Sequence, residues 1–513
     1  MRTFSLLLGM RFVDAQVGRK WFAGWLLLGA LFLPMISSAQ GRTANWIFGD
    51  GYHVKYTEGE PEVLPFVEDY AAWEGASCIS DATGQLLFYS NSVSIWNRDF
   101  EYLWNSDIIV PTDVYSTSSV TNGSIFLPFP GDSTESVYIY FYIDKDDNKL
   151  YYSLIDLSLD EGRGGVVEGF KNINLFEFAV CEQLLAIKHG NGRDWWVVVR
   201  KGNSESTQFS TLLLTPNGFL DAFNQPAGFR GAVAGELTAS LDGSKVAVAT
   251  TGAVCFPNRP IIALYDFDRC TGLLELVDTL RTRECFVNCY GLAFSQSGSK
   301  LYYSTADKIG LYQIDATLPV LRDSLILKLS GPSFFLFSGG QLELNSNGEI
   351  IMVYGRAPGT EGIDGLTSHL GVIRYPELVG LACNFDTFGI DLNGRENLTY
   401  SLPNFANYDL GPLVGSPCDT LSPQDTTQTG LFNPPKPIEN WSVFPTTSSG
   451  LYTLQSDQAG WLVVHDLYGR EVLRQWHEQT TPFDLTAQPA GLYLVHLRAA
   501  DGTATLPRKI VRQ

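Results

Sequence analysis

A hairpin pattern that repeats along the chain limits the fold more than any other feature of the sequence. Each copy has a short apolar strand, a small polar turn that contains glycine, and a second apolar or aromatic strand. Asp-Gly, Ser-Gly and Asn-Gly turns supply the positive φ that a tight hairpin needs. The turn glycines of the successive copies are Gly84, Gly131, Gly192, Gly243, Gly298 and Gly348.

Third and weaker fourth strands follow the hairpins, as in 261–268 and 273–280. Four short antiparallel strands in units of roughly fifty residues are typical of β-propeller blades. Leu402–Phe405 is predicted to pair as an inner strand beside Asn45–Gly49, which would close the ring by a blade shared between both ends. We therefore predict an all-β chain with a seven-bladed β-propeller at 40–410. Six and eight blades are the alternatives.

Composition excludes two classes of protein. Hydrophobic residues make up 45% of the 513 residues and aromatic residues 13%, too much core-forming material for a disordered chain. The formal net charge is −20, and long runs of Lys and Arg are missing. Nucleic-acid binding needs such clusters to displace counterions, so no nucleic-acid partner is predicted.

The first 39 residues predict a signal peptide. Arg19 and Lys20 precede the apolar stretch 21–36, and Ser37-Ser38-Ala39 is typical of a peptidase site. An uncleaved anchor is the alternative, although the apolar stretch is short for a full span. The rest of the chain is thus expected to be exported.

Eight cysteines follow the predicted cleavage point, an even number that permits disulfides in an exported protein. Cys255 with Cys270 and Cys285 with Cys289 are the candidate local bridges. Zinc is the competing interpretation, but Cys285 and Cys289 lack a second pair at ligand spacing.

The last hundred residues differ in composition from the repeats. Residues 411–438 are rich in Pro, Thr and Ser and predict a linker. Residues 439–513 contain several short alternating apolar stretches and predict a small β-sandwich.

Four segments of this tail occur in an order that resembles the type A C-terminal sorting domain of the Bacteroidota type IX secretion system. They are Val443-Phe444-Pro445 with Ser449-Gly450, the turn 466–472, the strand 489–495 and the terminal 509–513. Thr446 and Thr447 stand where the family usually has Pro and Asn. The residues that carry the sorting motif are Asp466, Gly469, Arg470, Pro489, Gly491, Tyr493 and Lys509.

The resemblance implies a route out of the cell. The outer-membrane translocon would recognise the tail after passage through the periplasm, and a surface sortase would cut the chain between about Pro417 and Asn440. The propeller would then be attached to the outer-membrane surface or released. The repeats also resemble those of uncharacterised exported proteins that carry such tails, on the basis of Asn45–Gly49 and Leu402–Phe405, which implies no chemistry.

No catalytic motif emerges from the residues, so no catalytic or cofactor residue is predicted and the chain is expected not to be an enzyme. Asp144, Asp146 and Asn148 imitate the start of a calcium loop and are the weak candidates for metal binding. Lys149 and Ile155 break that pattern, which favours a solvated turn. Carboxylates that could line a central opening are Glu74, Glu182 and Glu236.

Aromatic residues are a second group of candidate binding residues. Most should pack between blades, with one or two tryptophans exposed on a binding face. The tryptophans of the early blades are Trp46, Trp73, Trp96, Trp104, Trp195 and Trp196. We predict a non-catalytic propeller that binds a protein or glycan partner. The alternatives are a polysaccharide hydrolase or lyase and a structural component of the cell-surface or motility apparatus.

Overall fold

The computed structural model describes residues 41–57, 59–106, 119–202, 206–220, 222–231, 234–251, 260–281, 289–305, 309–329, 337–356, 366–396, 399–421, 441–466, 471–499 and 508–513. The predicted signal peptide lies outside these residues. In the described part of the chain, helix occurs only as short 3-10 turns at Asp160–Gly162, Leu366–Ser368 and Gly380–Cys383, with a turn of the same kind at residue 41. None of the described helices could cross a bilayer.

The described residues before the tail form seven antiparallel sheets, numbered here in chain order. Sheet 1 contains β1 (Asn45–Phe48), β2 (Tyr52–Lys55) and β3 (Glu62–Val63), and sheet 2 contains β4 (Ser77–Ser80), β5 (Leu86–Ser90) and β6 (Ile95–Asn97). Sheet 3 contains β7 (Ser124–Pro128), β8 (Val137–Asp144), β9 (Lys149–Asp156), β10 (Gly165–Val166) and β11 (Ile173–Asn174). Sheet 4 contains β12 (Val180–Lys188), β13 (Trp195–Lys201), β14 (Ser206–Thr215), β15 (Gly218–Phe219) and β16 (Phe223–Gly231).

The next three sheets have four strands each in simple meander order. Sheet 5 contains β17 (Leu237–Ala239), β18 (Lys245–Ala249), β19 (Pro260–Phe267) and β20 (Leu274–Arg281). Sheet 6 contains β21 (Cys289–Phe294), β22 (Lys300–Thr305), β23 (Ile309–Asp315) and β24 (Asp323–Leu329). Sheet 7 contains β25 (Phe337–Leu344), β26 (Ile350–Arg356), β27 (His369–Ile373) and β28 (Phe385–Asp391).

The predicted hairpins are confirmed by their turns. All six predicted turn glycines have φ between 70° and 84°, and each lies between two paired strands. Glycine reaches this region without the steric penalty that other residues meet there. The repeat in the sequence is therefore a repeat of the first two strands in each unit.

The sheets are arranged around a common axis. The first strand of each sheet contacts the first strand of the next, from β1 and β4 through to β21 and β25. One apolar cluster packs Ile351 and Leu370 of sheet 7 against Trp46 and Val54 of sheet 1, so the last sheet meets the first. This closed arrangement of antiparallel sheets defines a β-propeller. Sheets 1 and 2 have only three strands, and the number of blades stays a prediction.

The predicted pairing of Leu402–Phe405 with β1 is wrong. Gly49 N donates to the Ser401 Oγ, but β1 lies at the edge of its sheet with β2 as its ladder partner. Pro403 instead forms an isolated parallel bridge with Ala76. Pro403 has no N–H to donate, which disfavours a regular ladder at this position.

Residues 399–418, here called the plug segment, run beside the inner strands and onward along the channel. Asn404 Nδ2 donates to the Ser124 O and the Leu184 O, at 3.1 and 3.2 Å. Farther along, the Tyr408 hydroxyl donates to the Phe126 O at 3.0 Å. The segment therefore fills the side of the channel next to sheets 2 to 4.

A disulfide fixes the far end of the plug segment. Cys270, in the turn between β19 and β20, is bonded to Cys418 across 148 residues of sequence. The Arg269 guanidinium also donates to the Gly411 O, and Leu413 N donates to the Gly190 O. Contacts with the sheets thus continue past residue 410, the predicted end of the propeller.

The predicted local bridges are wrong for the cysteines that the structure describes. Cys270 takes the distant Cys418 because the plug segment brings that residue to the β19–β20 turn. Cys289 carries a buried free thiol at the start of β21. Cys255 and Cys285 lie outside the described residues.

The tail forms the predicted two-sheet β-sandwich around its own apolar cluster. One sheet contains β29 (Trp441–Phe444), β31 (Leu451–Ser456) and β34 (Thr480–Asp484). The other contains β30 (Thr447–Ser448), β32 (Gly460–Asp466), β33 (Glu471–His477), β35 (Gly491–Ala499) and β36 (Arg508–Arg512).

Candidate functional site

A cavity of about 520 Å³ lies in the half of the channel that the plug segment leaves open. Its walls come from the first strands of sheets 4 to 7 on one side and from Asn404–Gly411 on the other. Glu236 and Leu292 line the end where the inner strands begin, here called the floor, whereas the exposed hairpin turn Leu241–Gly243 lines the opposite end. This volume is in the range of pockets that hold small organic ligands.

Glu236 is the predicted carboxylate that reaches this cavity. Its Oε2 accepts hydrogen bonds from the backbone N–H groups of Leu292 and Leu342, which belong to sheets 6 and 7. Burial raises the pKa of the Glu236 carboxyl to about 8, and the two backbone donors oppose that rise only in part. The side chain therefore joins three sheets and is largely protonated near neutral pH.

Glu343 on β25 also lines the cavity, although the sequence analysis missed it. Burial raises its pKa well above the ordinary value, and the nearby Glu236 carboxyl adds to the rise. Its signal in the sequence was a charged residue between two leucines of an inner strand, Gln341-Leu-Glu-Leu344. Any polar residue at this position would satisfy the alternation of a strand, so a glutamate there is a signal of its own.

The other two predicted carboxylates lie elsewhere in the ring. The Lys145 ammonium forms an ion pair with the Glu182 carboxylate, which also accepts a bond from the Thr121 hydroxyl. The Glu74 carboxylate accepts a hydrogen bond from the Ser119 hydroxyl. Burial and the neighbouring Glu182 charge raise the pKa of Glu74. Neither residue lines the cavity. The three glutamates predicted from the sequence therefore do not meet at one point where a substrate could react.

The candidate calcium residues occupy the turn between β8 and β9. Asp144 Oδ1 accepts the N–H of Asp146, and Asn148 has a φ of 55°. Burial and the neighbouring Asp147 and Asp146 charges raise the pKa of Asp144, against the pull of the turn's N–H groups. Within the described residues, no three acidic, Cys or His side chains converge as a metal site. The arrangement is that of a hydrogen-bonded turn.

The loop after β6 presents a different kind of site on the outer rim of sheet 2. The chain turns at Asn97 and returns, with Tyr102 bridged to Trp96 and Leu103 N donating to the Ile95 O. Trp104 then bridges to Gly165 of sheet 3. Residues 98–106, here called the rim loop, are therefore held by two sheets.

Three large aromatic side chains of the rim loop are exposed. The exposed fractions are 49% for Phe100, 64% for Tyr102 and 49% for Trp104. The Tyr102 ring stacks on the buried Trp96 ring, with centroids 5.3 Å apart. Leu103, between Tyr102 and Trp104, is buried, whereas Glu101 is exposed like the aromatic residues on either side of it.

Among the tryptophans named from the sequence, Trp104 is exposed and Trp73 half-buried, while the remaining four are buried. This agrees with the expectation of one or two exposed rings. The sequence analysis missed Phe100 and Tyr102, although their alternation with Trp104 is visible in Phe100-Glu-Tyr-Leu-Trp104.

Charged groups border the exposed rings. The Arg163 guanidinium lies 2.9 Å from the Glu101 carboxylate, and the Arg98 guanidinium donates to the Gly162 O at 2.8 Å. The rim loop thus combines flat apolar faces with donors and acceptors at their edges.

The structure places most of the sorting-motif residues on the strands of the tail. Asp466 ends β32, Gly491 begins β35, and Lys509 lies on β36. The buried Tyr493 donates its hydroxyl to the Pro489 O at 2.7 Å, which closes the turn before β35. Gly469 and Arg470 lie outside the described residues.

Fold and site together define a β-propeller with a central cavity of apolar walls and buried carboxyl groups, an aromatic rim loop and a C-terminal β-sandwich. No family model and no curated protein matches the chain.

Solved propellers are similar to it at low sequence identity. The Cps50 (Swd1) β-propeller domain of Myceliophteria thermophila is 11% identical, with a TM-score of 0.38 over 61% of this chain and 93% of that one. The periplasmic gluconolactonase PpgL of Pseudomonas aeruginosa is 11% identical, with a TM-score of 0.35 over 91% of this chain and 95% of that one. A putative 6-phosphogluconolactonase of Bacteroides uniformis is 12% identical, with a TM-score of 0.31 over 55% and 87%. Similarity at this level carries no information about ligand or activity.

Proposed function

We propose that this chain is an exported, non-catalytic propeller that binds glycans through the rim loop. The observation that carries the proposal is the exposure of Phe100, Tyr102 and Trp104 on one short loop held by two sheets. Large apolar side chains grouped on a soluble protein's surface mark interaction sites.

The chemistry of the rim loop favours a glycan over other partners. A sugar ring presents a flat face of C–H bonds, which packs on the electron-rich face of an aromatic ring. Its hydroxyl groups can exchange hydrogen bonds with carboxylates and guanidinium groups such as Glu101 and Arg98. A rigid loop also loses little conformational entropy when it binds.

The described acids favour binding over catalysis. Glu74 and Glu182 are engaged by scaffold groups away from the cavity. Of the two glutamates that line the cavity, Glu343 and Glu236, the second is bonded to the backbone of two neighbouring sheets. A glycoside hydrolase needs two carboxyl groups that flank one scissile bond. Glycan binding therefore stands ahead of the hydrolase or lyase alternative.

The test is a glycan array followed by titration calorimetry on the full chain. Tyr102→Ala and Trp104→Ala should each weaken the strongest glycan about tenfold, the size of a typical aromatic hot spot. Leu381→Ala, an exposed aliphatic site between β27 and β28, is the matched control and should leave binding unchanged. Unchanged affinity in both aromatic variants would overturn the proposal. New reducing ends in a polysaccharide incubated with the chain would support the hydrolase instead.

The proposal includes export by type IX secretion through the tail, with sortase cleavage in the linker. Support comes from the ordered tail motifs and from the compact fold of residues 441–513, with its own core. Mass spectrometry of the secreted form should find a C-terminus between about Pro417 and Asn440. Retention of Gln513 in the secreted form contradicts this part of the proposal.

A further inference from the structure

The central cavity is a second binding site, independent of the rim loop. Its lining contains two glutamates, Glu236 at the floor and Glu343 near the end of β25, and its wall on one side is the plug segment. The proposed glycan contacts lie on the outer rim of sheet 2 and use none of these residues.

The lining is acidic in its charge balance. The described ionisable residues that line the cavity are four acids and one base: Glu236, Asp242, Glu343, Asp409 and Lys188. The Lys188 ammonium lies 4.7 Å from the centre of the Trp195 ring and donates to the Gly192 O. The only basic group among them is thus already occupied at the wall of the cavity.

One carboxyl oxygen of Glu236 is still free to bind a ligand. Glu236 is nearly fully buried, and both backbone donors bond to its Oε2. In the described part of the chain no donor reaches the Glu236 Oε1, and this oxygen belongs to a side chain that faces the cavity. The Glu236 Oε1 is not among the fully buried polar atoms that lack a partner, so it is open to the cavity, where a ligand group with N–H donors could reach it.

Two acids in one cavity favour a cationic ligand. Asp242 is engaged by Ser240 and Ser244 in its turn. Asp409 has the basic groups of Arg42 and Lys188 as neighbours. The two remaining acids of the lining are Glu236 and Glu343. A bare metal ion prefers several converging oxygen ligands, and the described residues contain no such group of three. The volume instead suits an organic molecule.

We infer that the cavity binds a small organic cation, with its ammonium group at the Glu236 and Glu343 carboxyls. The apolar walls, which include Leu185, Leu237 and Leu342, would contact the carbon skeleton of the ligand. Leu292 and Leu342 hold Glu236 in place from two further sheets.

Binding of a cation should release protons near pH 7. Burial raises the pKa of the Glu236 carboxyl to about 8, so this group is largely protonated at pH 7 when the cavity holds no cation, and burial also raises the pKa of the Glu343 carboxyl. A cation favours the ionised form and expels the proton. The other groups that face them are Cys289 toward Glu236, Cys78 and Tyr408 toward Glu343, and Lys188, Asp242 and Asp409 in the lining.

The experiment compares putrescine with 1,4-butanediol, which has the same four-carbon chain but no charge. Calorimetry on the full chain at pH 7, in two buffers of different ionisation enthalpy, should show one putrescine site with proton release. The diol should not bind. Absence of putrescine binding in the millimolar range, or equal binding of the diol, overturns the inference.

Variants locate the site. Glu343→Gln keeps the shape of the side chain and should weaken putrescine at least tenfold, since the amide cannot ionise to pair with the ammonium group. Glu275→Gln, the same change at an exposed position of β20, is the matched control. Trp104→Ala should leave putrescine affinity unchanged. If Glu343→Gln fails to fold, proton release by the unaltered chain still decides the question, because binding at the rim would release none.

Discussion

The centre and the rim of this propeller use the same kinds of polar and aromatic residues in opposite ways. At the centre, carboxyl groups are buried and bonded to backbone or to neighbouring side chains, as Glu236 and Glu182 illustrate. At the rim, aromatic rings that could have packed between sheets face solvent on a loop that bridges to two sheets. Whether a polar or aromatic side chain stabilises the fold or forms a binding surface therefore depends more on its position in the ring than on its residue type.

The largest expected effect concerns the disulfide that ties the end of the plug segment to the turn between β19 and β20. Replacing both Cys270 and Cys418 by Ser should lower the free energy of unfolding by about 4 kcal/mol, because the bridge closes a very long loop in the unfolded chain. Urea denaturation followed by tryptophan fluorescence measures this loss. Ser416→Ala, beside the bridge, is the control. A loss below about 1 kcal/mol would mean that the plug segment is held without the bridge.

The next test uses the buried carboxyl at the floor. Because the pKa of Glu236 is raised to about 8 in the folded chain, the proton is bound more tightly there than in the unfolded chain. Stability from this group is complete below its ordinary pKa and is lost as pH rises toward 8. Between pH 5 and 7, the unaltered chain should lose about 3 kcal/mol relative to Glu236→Gln.

Urea midpoints of both chains at several pH values measure this difference. Glu275→Gln should follow the unaltered chain across the whole range. Parallel curves for Glu236→Gln and the unaltered chain would show that Glu236 is ionised in the folded state.

A smaller effect is expected at the rim. Tyr102→Ala should change stability by less than about 1 kcal/mol, because most of its ring is already in water. The buried ring beneath it provides the contrast, since Trp96→Ala should cost about 3 to 5 kcal/mol. Thermal denaturation of the two variants measures the gap. Similar losses in both would show that the rim loop is part of the scaffold.

The smallest effect concerns the turn between β8 and β9. Addition of a calcium chelator should leave the melting temperature unchanged, because Asp144 and Asp147 already accept hydrogen bonds within the turn. Asp146→Asn should behave in the same way. A fall in melting temperature with chelator, restored by calcium, would establish a metal site there.

Much of the scaffold could be predicted because the hairpin signal is local. Gly243 or Gly298 and the apolar residues on either side determine a turn and two strands without reference to distant residues. The tail sandwich was predictable for the same reason, since its strands alternate clearly along 451–499.

The plug segment could not be predicted from local pattern. Pro403 and the polar residues around it satisfy their hydrogen bonds with groups such as Ser124 and Leu184, which are remote in sequence. The Cys270–Cys418 bridge depends on that path and was missed with it. At the cavity, Glu236 could be placed near the axis because it precedes an inner strand. Glu343 could not be assigned to the cavity from the sequence, because that requires knowing which inner strands face one another.

The position of the bridge also decides how the molecule would respond to a pulling force. The tail lies C-terminal to Cys418, so tension applied to the tail reaches the propeller first at the Cys270–Cys418 bond. That bond passes the load to the turn between β19 and β20, and Asn404–Tyr408 carry none of it. A machine that drags this chain by its C-terminus would therefore leave the plug segment in place while the protein moves.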